Sequence, residues 1–257
     1  MDPYHRYYDV IYSSKNYAGE ADVVSGLLLS WTGCVAPGLL LDIGCGTGNH
    51  ALEFARRGWT VTGIDIDTGS IEVARQKVGC QDRSLLSTPE FRCCGISDLS
   101  AKDFDAAVSL FNVINYISSL DELESFFLGI AARLADSRPL VLDCWNGLAA
   151  LRDPPRRKDT TIRYMGDTIR VVSEPDIDPG NRWVDVTNAV SVTAVDGSQT
   201  TFSYEYRSHL WTPAIICQCL SRAGFELTQI SSWERPLEGA TERDWKLLFT
   251  CRKKSSS

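Results

Sequence analysis

The chain has 257 residues and a formal charge of −7, from 26 Lys+Arg against 33 Asp+Glu. With 44% apolar and 23% charged residues it can bury a full core, which excludes a disordered or collagen-like chain. The acidic balance argues against a mainly electrostatic nucleic-acid binder, and the length favours one enlarged domain spanning 1–257.

The nine cysteines (Cys34, Cys45, Cys80, Cys93, Cys94, Cys144, Cys217, Cys219 and Cys251) contain no CxxC pair and are odd in number. That spacing suits reduced thiols in a cytoplasmic protein better than a zinc site or a disulfide framework. The start of the chain, Met1 to His5, has no basic segment followed by an apolar core, so no signal peptide is expected. Val23 to Leu41 is uncharged and nominally long enough to cross a bilayer. Ser25, Gly26, Gly33, Pro37 and Gly38 break it into a helix end, a turn and a strand start, so no membrane span is expected.

Along the chain, Ala21, Val24, Leu27 and Leu28 form a helical stripe. Leu39 to Ile43 is a short apolar run closed by glycine, as in a buried parallel strand. Thr47 to Arg57 is helical with Gly58 as its stop, and Thr60 to Ile64 is the next strand. A helix through Ile71, Val73, Ala74 and Val78 follows, then strands at Phe91–Cys94 and Ala106–Leu110. Ser119 and Glu122 have capping-box spacing ahead of Leu123, Phe127, Ile130 and Leu134, and Leu140–Leu142 is a fifth strand. This alternation predicts an α/β fold with a doubly wound parallel sheet, its ligand at the carboxyl ends of the strands.

Residues 151–206 change texture. A polar linker, Asp153 to Lys158, precedes short strands at Ile169–Val172, Trp183–Val186, Ala189–Val192 and Thr201–Tyr204, with turns at Pro179–Asn181 and Asp196–Gly197. An antiparallel insertion cannot extend a parallel core, so a β-rich lid is expected. A helix from Thr212 to Gly224 and a hairpin of Phe225–Ile230 with Lys246–Cys251 complete the sheet.

Glycines at 44, 46 and 48 lie between a strand and a helix start, where bare backbone can meet a ligand. Asp65 closes the following strand, where a carboxylate can accept from ribose hydroxyls. A nucleotide-like ligand follows. Gly46 to Ala51 also fits the letters of a dinucleotide fingerprint, so an NAD(P)-dependent oxidoreductase stays open on these residues alone.

The run LDIGCGTGNHALEFARRGWTVTGIDID resembles the first two motifs of class I S-adenosylmethionine-dependent methyltransferases, and the likeness extends over nearly the whole chain. The segment Tyr8 to Ala21 is similar to the N-terminal cap of small-molecule members: nucleotide-aminosugar N,N-dimethyltransferases and sugar methyltransferases of antibiotic and polysaccharide pathways. Phe111–Tyr116 and Leu142–Gly147 resemble their segments after the fourth and fifth strands. The resemblance implies a Rossmann-like methyltransferase sheet, a cap over 1–20 and S-adenosylmethionine as cofactor. By it, Gly44, Cys45, Gly46 and Gly48 line the methionine part, Asp65 holds the ribose and Ile66 covers the adenine, with Ile96 and Leu110 alongside. Tyr17 would touch the cofactor carboxylate and Tyr12 the acceptor or the transferring methyl. Gly95 stands where the family commonly has an Asp for the adenine amino group, and Tyr116 where the aminosugar enzymes tend to have His.

Methyl transfer is an in-line displacement in which alignment alone is worth about 7–11 kcal/mol. An amine acceptor needs only to be unprotonated, whereas a hydroxyl needs a base or a metal. His209, which shares its strand alternation with Arg207, is the candidate base, with Tyr12 and Tyr116 the other candidate catalytic residues; Tyr8, Asn115, Trp145, Asn146 and Arg207 are candidate acceptor contacts. No metal-ligand spacing is evident, so metal-independent transfer to a small polar metabolite is expected, with N-methylation ahead of O-methylation, by a monomer or homodimer. A degenerate methyltransferase fold serving as a binding module is the non-enzyme alternative.

Overall fold

The computed structural model describes residues 2–32, 36–79, 84–100 and 103–255. Helix α1 (Pro3–Ile11) and helix α2 (Tyr17–Thr32) lead into β1 (Leu39–Ile43), α3 (Asn49–Arg56), β2 (Thr60–Asp65), α4 (Thr68–Gly79) and β3 (Glu90–Cys93). Then come β4 (Ala106–Ser109), a 3-10 turn at Val113–Tyr116, α5 (Leu120–Ala131), β5 (Pro139–Trp145) and α6 (Gly147–Arg152). The uncharged stretch Val23–Leu41 is thus divided between α2 and β1, and among the described residues no helix is long and apolar enough to cross a membrane. The seven described cysteines are free thiols; Cys34 and Cys80 lie outside the described residues.

Side-chain alternation along buried strands sorts the core into two layers. Leu40, Val61, Val108 and Val141 turn to one face and meet Ala21, Leu28, Phe54 and Ile71 of α2, α3 and α4. Leu41, Ile64, Ala107 and Leu142 turn to the other and meet Leu123, Phe127 and Ile130 of α5. Each buried aromatic or aliphatic side chain is worth about 1.5–3 kcal/mol, so these layers dominate stability. The expected capping box starts α5: Ser119 accepts from the Glu122 N–H while the Glu122 carboxylate accepts from the Ser119 N–H.

After α6 the chain builds β6 (Lys158–Tyr164), β7 (Asp167–Asp178), β8 (Trp183–Thr193) and β9 (Gln199–His209), a separate antiparallel sheet in that order. Helix α7 (Pro213–Arg222) and strands β10 (Phe225–Ser232) and β11 (Lys246–Lys253) follow. The main sheet runs β3-β2-β1-β4-β5-β11-β10, with β11 antiparallel to β5 and β10. The fold is the doubly wound α/β class with an antiparallel insertion. Strand order reverses between β1 and β4, which opens a crevice at their carboxyl ends.

The insertion differs from the sequence reading in two places. Strand β6 begins inside the expected linker at Lys158, as an edge strand so exposed that it carries no apolar alternation. The strands expected at 183–186 and 189–192 are one strand, β8, in which Val184, Val186, Asn188, Val190 and Val192 are all buried on one face. Asn188 interrupts the apolar pattern but continues the period, and its carbonyl accepts from the Ser173 hydroxyl at 2.6 Å.

Gly147 joins the two sheets. A Cβ placed on it would stand 2.4 Å from the Leu210 carbonyl oxygen and 2.7 Å from that of Trp211, backbone atoms that cannot rotate away. We expect Gly147→Ala to lower unfolding stability by about 1–3 kcal/mol in urea titration. An unchanged midpoint would contradict that packing.

Candidate active site

The glycine loop is shaped by backbone that bulky residues resist. Gly44, Gly46 and Gly48 have φ of +71°, +54° and +80°. The Gly44 and Cys45 N–H groups donate to the Ile64 carbonyl at 2.8 and 3.0 Å, and the Gly46 N–H donates to Asp65 Oδ2 at 2.8 Å. The Asp67 N–H donates to Asp65 Oδ1 at 2.9 Å. The loop is therefore locked to the end of β2. Asp65 keeps spare lone pairs on both oxygens, and its burial raises its pKa against those N–H donors.

Above the loop lies a cavity of about 790 Å³, walled by Gly44, Gly46, Asp65, Ile66, Gly95 and Ile96, with Leu110, Tyr4, Tyr8 and Tyr116 across from them. A narrower recess of about 30 Å³ shares Gly44 and Gly46 and adds Cys45, Tyr17, Asn49 and His50. Ile66 leaves 80% of its surface exposed at the lip, an apolar face without a protein partner. A Cβ on Gly46 would meet nothing within 4 Å, so the loop presents open backbone there. Gly48 instead faces inward, its Cβ position 2.6 Å from the Phe91 ring.

Helix α1 closes the cavity with side chains that are at most partly buried. Its Tyr7, Val10 and Ile11 pack on Ile169, Val171, Val190 and Val192 of the antiparallel sheet. Its other side is polar. Asp9 accepts from Thr47 Oγ1 at 2.6 Å, Asn49 Nδ2 at 2.9 Å and Lys77 Nζ at 2.5 Å, and His5 pairs with Asp67 at 2.7 Å. These groups are far apart in sequence, and no local signal in the chain announces them.

The result is an aromatic wall drawn from three elements. Tyr4 lies 5.6 Å from Tyr8 and 4.7 Å from Tyr204; Tyr8 lies 4.8 Å from Tyr12, and Tyr12 5.2 Å from Phe111. Tyr116 meets Tyr206 edge-on at 5.9 Å. Burial raises the pKa of Tyr4, Tyr8, Tyr12, Tyr116, Tyr204 and Tyr206, and pushes Tyr17 up to about 12, so all are neutral phenols. Phe111 and Asn112 hold left-handed φ of 73° and 63°, a strained turn pinned by the Asn112 N–H donating to Asp143 at 2.7 Å.

Beneath the recess, Glu20 accepts from Lys15 at 2.5 Å and pairs with His50 at 2.8 Å; these bonds hold its pKa down despite burial. The Tyr17 hydroxyl is buried beside the Asn49 amide without a well-formed hydrogen bond.

The other expected acceptor contacts are engaged elsewhere. Period-2 alternation puts Tyr204 and Tyr206 on the face of β9 toward α1, so Arg207 and His209 turn the other way. Arg207 forms a bidentate pair with Asp185 at 2.6 Å, and His209 lies between Trp183 and Trp211, its pKa lowered by burial and by Arg207. The Asn115 amide donates to the His209 carbonyl at 2.6 Å and accepts from the Trp145 N–H at 3.0 Å. Asn146 caps α6 and donates to the Asp244 carbonyl at 3.0 Å, while Trp145 packs on Trp245. The structure brings none of these five side chains to the cavity wall.

Comparison with known proteins gives a methyltransferase domain matched over residues 40–137, the stretch holding the loop and Asp65. The chain is 26% identical over 172 residues to the dTDP-3-amino-3,4,6-trideoxy-alpha-D-glucopyranose N,N-dimethyltransferase of Streptomyces venezuelae, covering 63% of this chain and 68% of that one. Among solved structures, Streptomyces venezuelae DesVI superposes with a TM-score of 0.80 at 20% identity, over 99% of this chain and 100% of that one. The aminopentose methyltransferase CalS10 of Micromonospora echinaspora, solved with bound S-adenosylmethionine, gives 0.73 at 22% over 99% and 98%. The matched domain and these relatives make the chain an S-adenosylmethionine-dependent methyltransferase. Within that class it is similar to aminosugar N-methyltransferases, and S-adenosylmethionine is its cofactor. The open backbone at Gly46, the lone pairs of Asp65 and the exposed face of Ile66 suit that ligand.

Asp42, the first residue of the glycine motif, is buried with no partner for Oδ2, and burial pushes its carboxyl up to about 7 from 3.8. Between those values the folded chain keeps a proton that the unfolded chain has released, so this group makes stability fall as pH rises. We expect Asp42→Asn to gain on the wild type from about pH 4 to about pH 7, with a constant gap above, in urea unfolding. A gap independent of pH would overturn the assignment.

Proposed function

We propose that the enzyme methylates the amine of a small, aminosugar-like metabolite without a metal, and that the antiparallel sheet and α1 act as a lid. The observation that carries the amine is the wall itself. Its phenols are held neutral, and His209, the one histidine proposed as a base, stacks on Trp211 and meets Trp183 edge-on, away from it. A hydroxyl acceptor would need a base there; an amine needs only its neutral form. The relatives do not favour a nicotinamide-dependent oxidoreductase or a non-catalytic module.

When bound, S-adenosylmethionine supplies an electrophilic methyl group on a sulfonium. The backbone of Gly44 and Gly46 cradles its methionine part, Cys45 and Leu110 flank it, and Tyr17 meets the carboxylate from the recess. Asp65 accepts from the ribose hydroxyls, while Ile66, Gly95 and Ile96 enclose the base. Tyr8, Tyr12 and Tyr116 orient the acceptor and exclude water, which leaves the amine lone pair as the reacting group. Transfer of labelled methyl to nitrogen in a panel of aminosugars tests the reading; transfer only to oxygen contradicts it.

Asp65→Ala should weaken S-adenosylhomocysteine binding about 10- to 100-fold by calorimetry, the scale of lost hydrogen bonds to a charged group. Tyr116→Phe should lower kcat about 2- to 10-fold while cofactor affinity stays the same, since only a hydroxyl is removed. Equal small effects from both variants would contradict these roles.

A further inference from the structure

We infer that Asp143, which lines neither the cavity nor the recess, is a positioning residue for methyl transfer: its carboxylate fixes the turn after β4 that sets Phe111, Val113 and Tyr116 in the wall of the site. The inference rests on the cofactor placement proposed above and adds a residue that has no role there. Phe111 and Asn112 are consecutive left-handed residues with φ of 73° and 63°, and for a side chain as bulky as Phe that conformation is an outlier. It persists only where the surroundings over-determine it. Here one buried side chain does so. Asp143, on β5 and 3% exposed, accepts from the Asn112 N–H at 2.7 Å through Oδ1. Its Oδ2 accepts at 2.9 Å from the indole N–H of Trp233, the residue after β10. Bonds to a carboxylate are the stronger kind, and burial keeps water from competing for them.

Three side chains take their places from that turn. The Phe111 ring borders both the cavity and the recess, with Lys15 Nζ 4.5 Å over its centroid and Tyr12 edge-on at 5.2 Å. Val113 presses on the glycine loop: a Cβ on Gly44 would stand 2.5 and 2.7 Å from its two methyl groups. Tyr116 ends the 3-10 turn that Asn112 caps, where the Asn115 N–H donates to the Asn112 carbonyl at 3.0 Å. Release of the Asn112 N–H therefore shifts the divider between cavity and recess, the packing on Gly44 and a cavity-lining tyrosine together. A carboxylate that only satisfied buried donors would serve Trp233 and Asn112 alike. One that positions the site acts through the conformation of residue 112, which glycine adopts without steric cost. Glycine at 112 separates the two roles.

Calorimetry of S-adenosylhomocysteine binding to the whole chain tests this, with circular dichroism confirming that each variant is folded. Asp143→Asn leaves one acceptor oxygen facing two N–H donors. It is expected to weaken binding at least about tenfold, and Asn112→Gly added to it to recover at least about fivefold of that loss. A smaller loss in Asp143→Asn overturns the inference, and so does a smaller recovery in the double variant, since general damage to the core is not repaired by a glycine at 112. If Asp143→Asn alone does not fold, the double variant is compared with Asn112→Gly. Affinities within about fivefold of each other then support the positioning role, because the carboxylate is dispensable once the turn is unstrained. A double variant that is weaker than that, or that does not fold, overturns it. Failure of the unmodified chain to bind S-adenosylhomocysteine would instead remove the cofactor placement itself, so the two failures are told apart before any variant is compared.

Discussion

Three left-handed positions within five residues, Gly44, Gly46 and Gly48, set the geometry on which the site depends. They curl the chain so that its N–H groups reach the Ile64 carbonyl and the Asp65 carboxylate instead of continuing a strand. A side chain at 44 would drive into Val113 and one at 48 into Phe91, so two of the glycines answer to packing; Gly46, whose Cβ side is open, leaves bare backbone at the cavity. The loop thereby ties the ends of β1 and β2 together, and Asp65 comes to rest beside open backbone.

Helix α1 lies over the cavity above this loop. It has no fully buried residue, so its place depends on Asp9 and His5 on one side and on the antiparallel sheet on the other. Single hydrogen bonds of this kind contribute about 1 kcal/mol each, against about 1.5–3 kcal/mol for each buried core side chain. The cover is thus the weakly held layer on a strongly held base, which suits a part that must let ligands in. Because Tyr4 and Tyr8 lie on α1, Tyr12 at its C-terminal end, and Tyr204 and Tyr206 on β9, any opening of the cover also dismantles the aromatic wall.

The main sheet was legible because its signals are local: apolar runs bounded by glycine, a helical stripe, and a capping box at Ser119 and Glu122. Strand β6 was missed because an exposed edge strand needs no apolar side chains, and β8 was divided because Asn188 fills a buried position with a polar side chain. At the site, the spacing of Gly44, Gly46 and Gly48 marked the loop that the cavity borders, and Tyr116 was placed after a strand end, whereas Tyr8 was read only as part of an aromatic cluster near the start of the chain. Arg207 and His209 were misplaced by one residue of alternation, which turns a strand's whole set of side chains to the opposite face. Asn115 and Asn146 satisfy backbone groups at a crowded junction, a need that only the folded chain creates. The partnerships of Asp9 with Lys77 and His5 with Asp67 have no signature in the sequence at all.

The account stands on one spatial claim, that the cofactor lies along the loop with its ribose against Asp65 and its methionine end toward Tyr17. A crystal structure of the complex with S-adenosylhomocysteine tests it directly. Density for the ribose hydroxyls at Asp65, with the carboxylate in the recess beside Tyr17 and the sulfur facing Tyr8 and Tyr116, is the predicted result. A ligand bound outside the crevice, or in it with the sulfur turned away from the tyrosine wall, would contradict the account.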